Sequence, residues 1–168
     1  MLKKFLLTAA AVGVLASGGS AETFVLSNYK HWSVSYVEND NSEVCIANVN
    51  NGEGLGFNLG VAPAYFGISI VDPRIRPGGD LNFDMEIDRM GRWKIDSAQV
   101  RSGNVYADLS HASSSFKAGL VDEISRGAYI YFRERGAPRK DWRYKFSLRG
   151  SRVAVDELLK CSKRLGTW

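Results

Sequence analysis

Apolar and polar residues alternate along much of the chain, most regularly from Leu81 to Asp88, where the sequence is Leu-Asn-Phe-Asp-Met-Glu-Ile-Asp. Four apolar side chains therefore point to one side and four polar side chains to the other. This period of two is typical of an antiparallel strand that buries one face. We expect the acidic residues of this strand, Asp84, Glu86 and Asp88, to lie on its solvated face.

Further segments with strand-like composition are separated by turn signals. The sequence Asn-Asn-Gly-Glu-Gly at positions 50–54 predicts a hairpin, because Asn and Gly tolerate the positive φ that such turns require. The apolar run from Tyr65 to Val71 predicts a central strand. The remaining predicted strands begin near Thr23 and cover 32–36, 44–49, 55–61, 93–101, 105–109, 128–133 and 142–148.

Apolar residues recur at helical spacing between Phe116 and Ile124, which predicts a helix over 114–126 that ends at Gly127. A second helix is predicted at the end of the chain. It follows a strand and a tight turn at Gly150, and we expect the hydroxyl of Ser151 to cap it.

The succession of elements predicts a mainly β fold. The strands do not alternate with helices as they do in parallel sheets. We therefore expect an antiparallel β-sandwich or a partly open barrel of about eight strands, with two short helices that cover an edge or an end.

The N-terminal residues Met1–Ala21 have the organisation of a secretory signal peptide, in which Lys3 and Lys4 precede an apolar run and small residues follow it. The run is well short of the roughly 20 residues that span a bilayer, so we expect cleavage before Glu22 and not a membrane anchor. The chain would then comprise a signal peptide at 1–21 and a single β-rich domain at 22–168, in the periplasm of a Gram-negative bacterium or secreted. No transmembrane segment is expected after signal removal.

Charge and cysteine content fit an exported protein. The formal net charge of +4 includes two lysines of the leader, so the mature domain is close to balance and nucleic acid is not an expected partner. The chain contains two cysteines, Cys45 and Cys161. In an exported chain they favour one disulfide, and two free thiols are the alternative. No CxxC motif suggests a redox enzyme.

Candidate catalytic residues cluster in the Ser-rich segment at 110–115, where His111 lies near Asp108. A serine hydrolase needs a base within reach of its nucleophile, and no GxSxG elbow occurs here. The more economical interpretation is a polar loop whose serines cap the following helix. Paired carboxylates for glycoside hydrolysis remain open, since their spacing is spatial and not sequential.

Nothing in the sequence implies a cofactor or a metal ion. The two histidines, His31 and His111, lie far apart and in no HxH or HExxH spacing. The acidic residues between Asp80 and Asp88 alternate along a strand, whereas calcium ligands converge from a turn.

The best candidate for a surface that binds an anion or a protein partner is a basic segment that contains a tryptophan. Arginine beside an aromatic ring can hold anionic or glycan groups by ion pairing and stacking. The alternative is that Arg143 and Lys145 pair across strands with Asp84, Glu86 or Asp88. The proposed surface comprises Arg133, Arg135, Arg139, Lys140, Trp142 and Arg143.

Short motifs frame most of the mature chain: Trp-Ser-Val-Ser-Tyr at 32–36, Cys-Ile-Ala at 45–47, Ser-Leu-Arg-Gly-Ser at 147–151, Ala-Val-Asp-Glu-Leu at 154–158, and Cys161. In these the chain resembles the small exported alphaproteobacterial proteins of the invasion-associated locus B type. Tyr36 stands where that family usually has a cysteine. The resemblance implies a periplasmic or surface β-rich accessory protein and no catalytic residues.

The function expected from these observations is that of a non-enzymatic periplasmic or secreted accessory protein that binds an envelope component or another protein. Two alternatives stay open. One is a small periplasmic hydrolase that uses His111 with a nearby serine. The other is a periplasmic enzyme inhibitor, in which the loop at 74–80 would project and plug an active site.

Overall fold

The computed structural model describes residues 21–52, 54–88, 90–136 and 143–167. The predicted signal peptide therefore lies outside the described residues, apart from Ala21. The same holds for Arg139, Lys140 and Trp142 of the predicted basic surface. Among the described residues, no helix has the length and apolar character required to cross a membrane.

The described part of the chain forms ten strands and two helices. The first five strands are β1 (Glu22–Tyr29), β2 (Trp32–Asn39), β3 (Ser42–Asn50), β4 (Gly56–Ala62) and β5 (Tyr65–Val71). The next three are β6 (Leu81–Ile87), β7 (Gly91–Arg101) and β8 (Asn104–Asp108). Helix α1 (Ser114–Arg126), β9 (Tyr129–Glu134), β10 (Tyr144–Ser147) and α2 (Ser151–Arg164) complete the chain.

The strands form one open antiparallel sheet in the order β1-β2-β3-β4-β5-β8-β7-β6-β9-β10. Strand β7 connects two halves, because Ala98 and the residues before it pair with β6, whereas its last three residues pair with β8. At the junction Ser97 has a φ of 55°. Strands that change partners at such irregularities form the corners of folded sheets. The mainly antiparallel fold with two helices is confirmed, and the strands number ten where about eight were expected.

The two halves face each other across an aromatic core. The ring of Phe57 on β4 lies 5.5 Å from that of Phe132 on β9 and 6.1 Å from that of Phe146 on β10, measured between centroids. Trp32 on β2 meets Phe57 edge-on at 6.4 Å. All four side chains are almost completely buried. These contacts show that the first and last strands of the sheet curl toward one another.

Helix α1 has the bounds that the sequence predicts. Its N-cap is Ser113, whose hydroxyl accepts a hydrogen bond from the amide of Phe116, and its C-cap is Gly127. The helix buries Leu120, Val121 and Ile124.

Helix α2 begins differently from the prediction. Gly150 forms the predicted turn with a φ of 100°, and it is also the N-cap residue. The expected cap by Ser151 is wrong, because the buried Ser151 hydroxyl donates to the carbonyl of Ile124 in α1 at 2.6 Å. The side chain thus joins the two helices, which a local sequence pattern does not reveal.

The predicted pairing of Cys45 with Cys161 is present in the structure. The disulfide joins β3 to α2, with 6.0 Å between the two Cα atoms and 116 positions between them in the chain. Helix α2 also packs against β1, β2, β3 and β4. The bridge therefore fastens the terminal helix to the first strands of the sheet.

Candidate functional site

The predicted basic surface is divided by the fold. Arg133 on β9 is only 7 % exposed, and its Nη2 atom lies 2.9 Å from Oδ2 of Asp84 on β6. Asp84 is itself 5 % exposed. The expectation that Asp84 lies on a solvated face is therefore wrong, and Arg133 is not part of an exposed surface. Burial of an ion pair is tolerated here because each charge meets its partner in direct register.

The neighbouring cations of the same outer face are also engaged within the molecule. The guanidinium of Arg135 donates to Asp96 and lies 3.5 Å from Asp84. Lys145 on β10 places its Nζ atom 4.0 Å from the ring centre of Tyr129. Arg133 and Arg135 thus pair with acidic residues. Lys145, for which such pairing was the alternative, rests instead on an aromatic ring.

Arg143 is the remaining described member of the predicted surface, and it is exposed at the start of β10. Its guanidinium carbon lies 5.4 Å from the ring centre of Tyr144. The backbone amide of Arg143 donates to the carbonyl of Phe132, which fixes the residue at one end of the space between the two halves of the sheet.

A cavity of about 360 Å³ opens at this end, and we call it the mouth cavity. Its interior is formed by apolar side chains of both halves, and its entrance is rich in arginine. Ligand cavities in proteins commonly combine such an apolar wall with a few polar groups, and the mouths of β-barrels are a frequent place for them. The lining comprises Ile70, Arg74, Ile75, Arg76, Leu81, Phe83, Val100, Val105, Phe132, Arg133, Glu134, Arg143 and Tyr144.

A buried carboxylate organises one side of the mouth cavity. Asp72, only 1 % exposed, accepts hydrogen bonds from Nε of Arg74 at 2.9 Å and from the hydroxyl of Tyr144 at 3.0 Å. The hydrogen bonds from Arg74 lower the pKa of Asp72 to about 2 against the opposing effect of burial. Burial and the bond to Asp72 raise the pKa of Tyr144. Asp72 is thus ionised at neutral pH and neutralises Arg74.

Arg76 and Arg143, also at the entrance, lack such a partner in the part of the chain that the structure describes. Within the described residues, no carboxylate forms an ion pair with Arg76 or Arg143. Glu134 is the acidic residue of the lining. The entrance therefore presents cations to a ligand that enters the apolar interior. This arrangement can bind an acidic group and an attached apolar chain.

The segment predicted as a possible hydrolase site performs local structural tasks. Ser113 caps α1, and the hydroxyl and amide of Ser110 both donate to Asp108. Lys117 donates to the carbonyl of Ser110 at 2.6 Å. His111 is exposed, and no hydrogen bond joins it to a serine in the part of the chain that the structure describes. The interpretation of this segment as a capping loop is confirmed for Ser113.

The loop at 74–80, which the inhibitor hypothesis requires to project, is held against the sheet at two points. Ile75 is buried, and its carbonyl accepts from the amide of Gly103 at 3.0 Å. Further along, the amide of Gly78 donates to Val100 at 3.4 Å. Residues 74–76 of the loop thus form part of the wall of the mouth cavity.

Sequence reasoning identified Arg143 but missed Asp72, Arg76 and Tyr144. In the sequence, Asp72 directly follows the predicted strand at 65–71, and the local pattern gives it no role in a site. An aspartate followed two residues later by an arginine is a local signal for their ion pair, whereas the contact with Tyr144 depends on the fold. Among the described residues, no group of three or more His, Cys, Asp or Glu side chains is arranged to hold a metal ion.

The resemblance to exported proteins of the invasion-associated locus B type stays a prediction. Its motifs map onto β2, β3 and the unit of β10 and α2, and they therefore describe structural elements. Comparison of the chain with protein-family models, curated proteins and solved structures finds no match.

Proposed function

We propose that this protein is a non-enzymatic binding protein of the bacterial envelope, exported to the periplasm or beyond, which takes an anionic amphiphile into the mouth cavity. The observation that carries the proposal is the position of Arg76 and Arg143 at the entrance of an apolar cavity. The acidic head of the ligand would pair with these arginines, and its hydrocarbon chain would enter between the halves of the sheet.

The apolar interior supplies the larger part of the expected affinity. Phe83, Phe132 and Ile70 present hydrocarbon surface to the cavity. Burial of apolar surface contributes roughly 25 cal/mol per Å² before the entropic costs of binding are subtracted. An alkyl chain fits this apolar wall better than a hydrophilic ligand does. A hydrophilic ligand would bury polar groups that find no hydrogen-bond partner on the wall.

The arginines supply selectivity for an acid. A guanidinium can donate two parallel hydrogen bonds to a carboxylate or phosphate. Arg74 is already neutralised by Asp72, so we assign this role to Arg76 and Arg143.

Two features support an envelope location. The sequence at 1–21 has the organisation of a signal peptide. The disulfide between Cys45 and Cys161 is of the kind that persists in oxidising compartments. Amphiphiles with acidic heads are constituents of membranes, which would place the ligand in the same compartment.

Calorimetric titration of the mature chain with dodecanoate and with dodecanol tests the proposal. The two probes share an alkyl chain and differ in the charge of the head. We expect the wild type to bind dodecanoate more tightly, and the double variant R76Q/R143Q to bind dodecanoate about tenfold more weakly with little change for dodecanol. A tenfold change corresponds to about 1.4 kcal/mol.

The variant R152Q is a matched control, because Arg152 is an exposed arginine on α2 away from the cavity. It should bind both probes like the wild type. A second variant, L81W, places a larger side chain in the cavity wall and should weaken both probes. Absence of dodecanoate binding to the wild type, or equal loss in R152Q and R76Q/R143Q, would contradict the proposal.

A further inference from the structure

A second concavity lies on the opposite, outer face of the sheet, and it is separate from the mouth cavity. We call it the outer groove. It has a volume of about 280 Å³ and crosses β3, β4, β5 and β8, with one contribution from the end of β7. Its lining comprises Ser42, Glu43, Val44, Ile46, Asn58, Gly60, Ala62, Tyr65, Gly67, Ser69, Arg101, Asn104 and Tyr106.

Two glycines form the floor of the outer groove. Gly60 on β4 and Gly67 on β5 are direct partners in the sheet, and the ring of Tyr65 packs against both. A Cβ atom on Gly67 would lie 2.3 Å from the Tyr65 hydroxyl, and one on Gly60 would lie 2.9 Å from Cε1 of the same ring. Any larger residue at either position would displace the ring, so the absence of side chains here lets Tyr65 lie close to the sheet.

A second tyrosine extends this aromatic surface. The rings of Tyr65 and Tyr106 are nearly parallel, with 15° between their planes and 5.9 Å between their centroids. Burial raises the pKa of both hydroxyl groups, so both remain protonated donors at neutral pH. The pair presents flat apolar faces together with polar hydroxyl groups at their edges.

A row of polar side chains runs across the strands beside the tyrosines. The amide of Asn48 donates to Asn58, and Nδ2 of Asn58 donates to the Ser69 hydroxyl at 2.9 Å. Asn58 is 5 % exposed and Ser69 is 7 % exposed, although both belong to the outer face. Oδ1 of Asn104 is also buried and has no hydrogen-bond partner among the described residues. Such an atom incurs a desolvation cost that a ligand donor would remove.

We propose that the outer groove binds an uncharged oligosaccharide. The face of a sugar ring carries C–H groups that pack on an aromatic ring, and its edge carries hydroxyl groups that both donate and accept. The groove offers matching groups: the faces of two tyrosines, the hydroxyl of Ser69, and the Asn104 oxygen that lacks a hydrogen-bond partner among the described residues. One cation, Arg101, and one anion, Glu43, belong to the lining, so no net charge selects a charged ligand.

The geometry disfavours a peptide that extends the sheet. The strands below the groove are paired on both sides, so their backbone groups already have partners. A purely apolar ligand would deprive the buried Asn58 and Ser69 of their remaining hydrogen-bonding capacity. An oligosaccharide satisfies both the apolar and the polar parts of the surface.

Titration of the mature chain with maltotriose and with triacetylchitotriose, monitored by NMR chemical shifts and calorimetry, tests this assignment. We expect at least one of these neutral probes to bind and to shift the resonances of Gly60 and Gly67. The variant N104A should weaken binding about tenfold. N28A, which removes an exposed amide from the edge strand β1, should bind like the wild type.

Two further variants keep the test decisive if one change disturbs the fold. Y65F keeps the ring and loses only the hydroxyl, so it should retain more affinity than Y65A. Urea midpoints identify any variant that is simply unfolded. Failure of both sugars to bind, or equal affinity in N104A and N28A, would overturn the assignment. Because dodecanoate binding uses the other face, either proposal can fail while the other holds.

Discussion

The hydroxyl of Tyr144 donates to Oδ2 of Asp72 at 3.0 Å, and this bond joins residues that are 72 positions apart in the chain. Asp72 directly follows β5 in one half of the sheet, and Tyr144 begins β10 in the other. The contact therefore ties the two halves together beside the mouth cavity. It also places a fixed negative charge behind Arg74, which leaves Arg76 and Arg143 as the cations offered at the entrance.

Replacement of Tyr144 by Phe should lower the free energy of unfolding by about 1–2 kcal/mol. The variant removes one donor from a buried carboxylate, while the hydrogen bonds from Arg74 remain. Urea denaturation of Y144F measures the change. Y129F is the matched control, because Tyr129 is 40 % exposed, and it should alter stability by much less. Equal effects of the two changes would mean that the bond to Asp72 contributes nothing specific.

The lowered pKa of Asp72 predicts a loss of stability in acid. Its pKa is about 2 in the folded protein against an ordinary value of 3.8, so the folded state binds the proton less tightly than the unfolded state. The stabilisation is therefore complete above the ordinary pKa and is lost as the pH falls from about 4 toward about 2.

Urea denaturation of the wild type and D72N at about pH 5 and about pH 2.5 measures this contribution. The loss between the two pH values should be smaller in D72N by about 1–2 kcal/mol. D156N serves as the control, since Asp156 is exposed on α2. If D72N and the wild type lost the same stability in acid, Asp72 would not be the group responsible.

Local patterns predicted the elements well. The alternation at 81–88 and the helical spacing between Phe116 and Ile124 depend on neighbours within a few residues, and both elements appear where expected. The two cysteines could also be paired from the sequence, because with two there is a single possible bridge.

Contacts between distant elements could not be predicted in the same way. A period of two tells which side chains share a face, but it does not tell what covers that face. Asp84 was therefore expected in water and is buried against Arg133. The outer groove was missed for the same reason, since the meeting of Gly60 and Gly67 depends on the register between β4 and β5.

Because Asp84 and Arg133 form a buried ion pair, a single substitution at Asp84 should strongly lower the free energy of unfolding. D84N removes the negative charge and leaves the Arg133 guanidinium in a site with little access to water, so we expect a loss of about 3–5 kcal/mol. E86Q is the comparison, because the contact between Glu86 and Arg92 is 3.8 Å and partly exposed. It should cost less than about 1 kcal/mol. Similar losses of stability in D84N and E86Q would show that the buried ion pair contributes no more to stability than the partly exposed one.

The two serines at the starts of the helices, Ser113 before α1 and Ser151 at the first position of α2, should differ in what they stabilise. S113A removes the N-cap of α1 and should cost about 1 kcal/mol. S151A removes a buried donor to Ile124 in the other helix and should cost about 1–2 kcal/mol by leaving that contact unmade. S114A is an exposed control at the first position of α1. Hydrogen exchange of the α1 amides distinguishes the two variants. S113A should speed exchange at the start of α1, and S151A should speed it at the end of α1.

Loss of the disulfide should lower stability more than any single hydrogen bond. Bridging positions 116 residues apart removes much of the freedom of the unfolded chain, and the loop-entropy estimate is on the order of 4–5 kcal/mol. The double variant C45A/C161A should therefore unfold at a lower temperature than the oxidised wild type. Added dithiothreitol should bring the wild type toward the variant and leave the variant unchanged. A melting temperature equal in the oxidised wild type and in C45A/C161A would show that the bridge does not stabilise the fold.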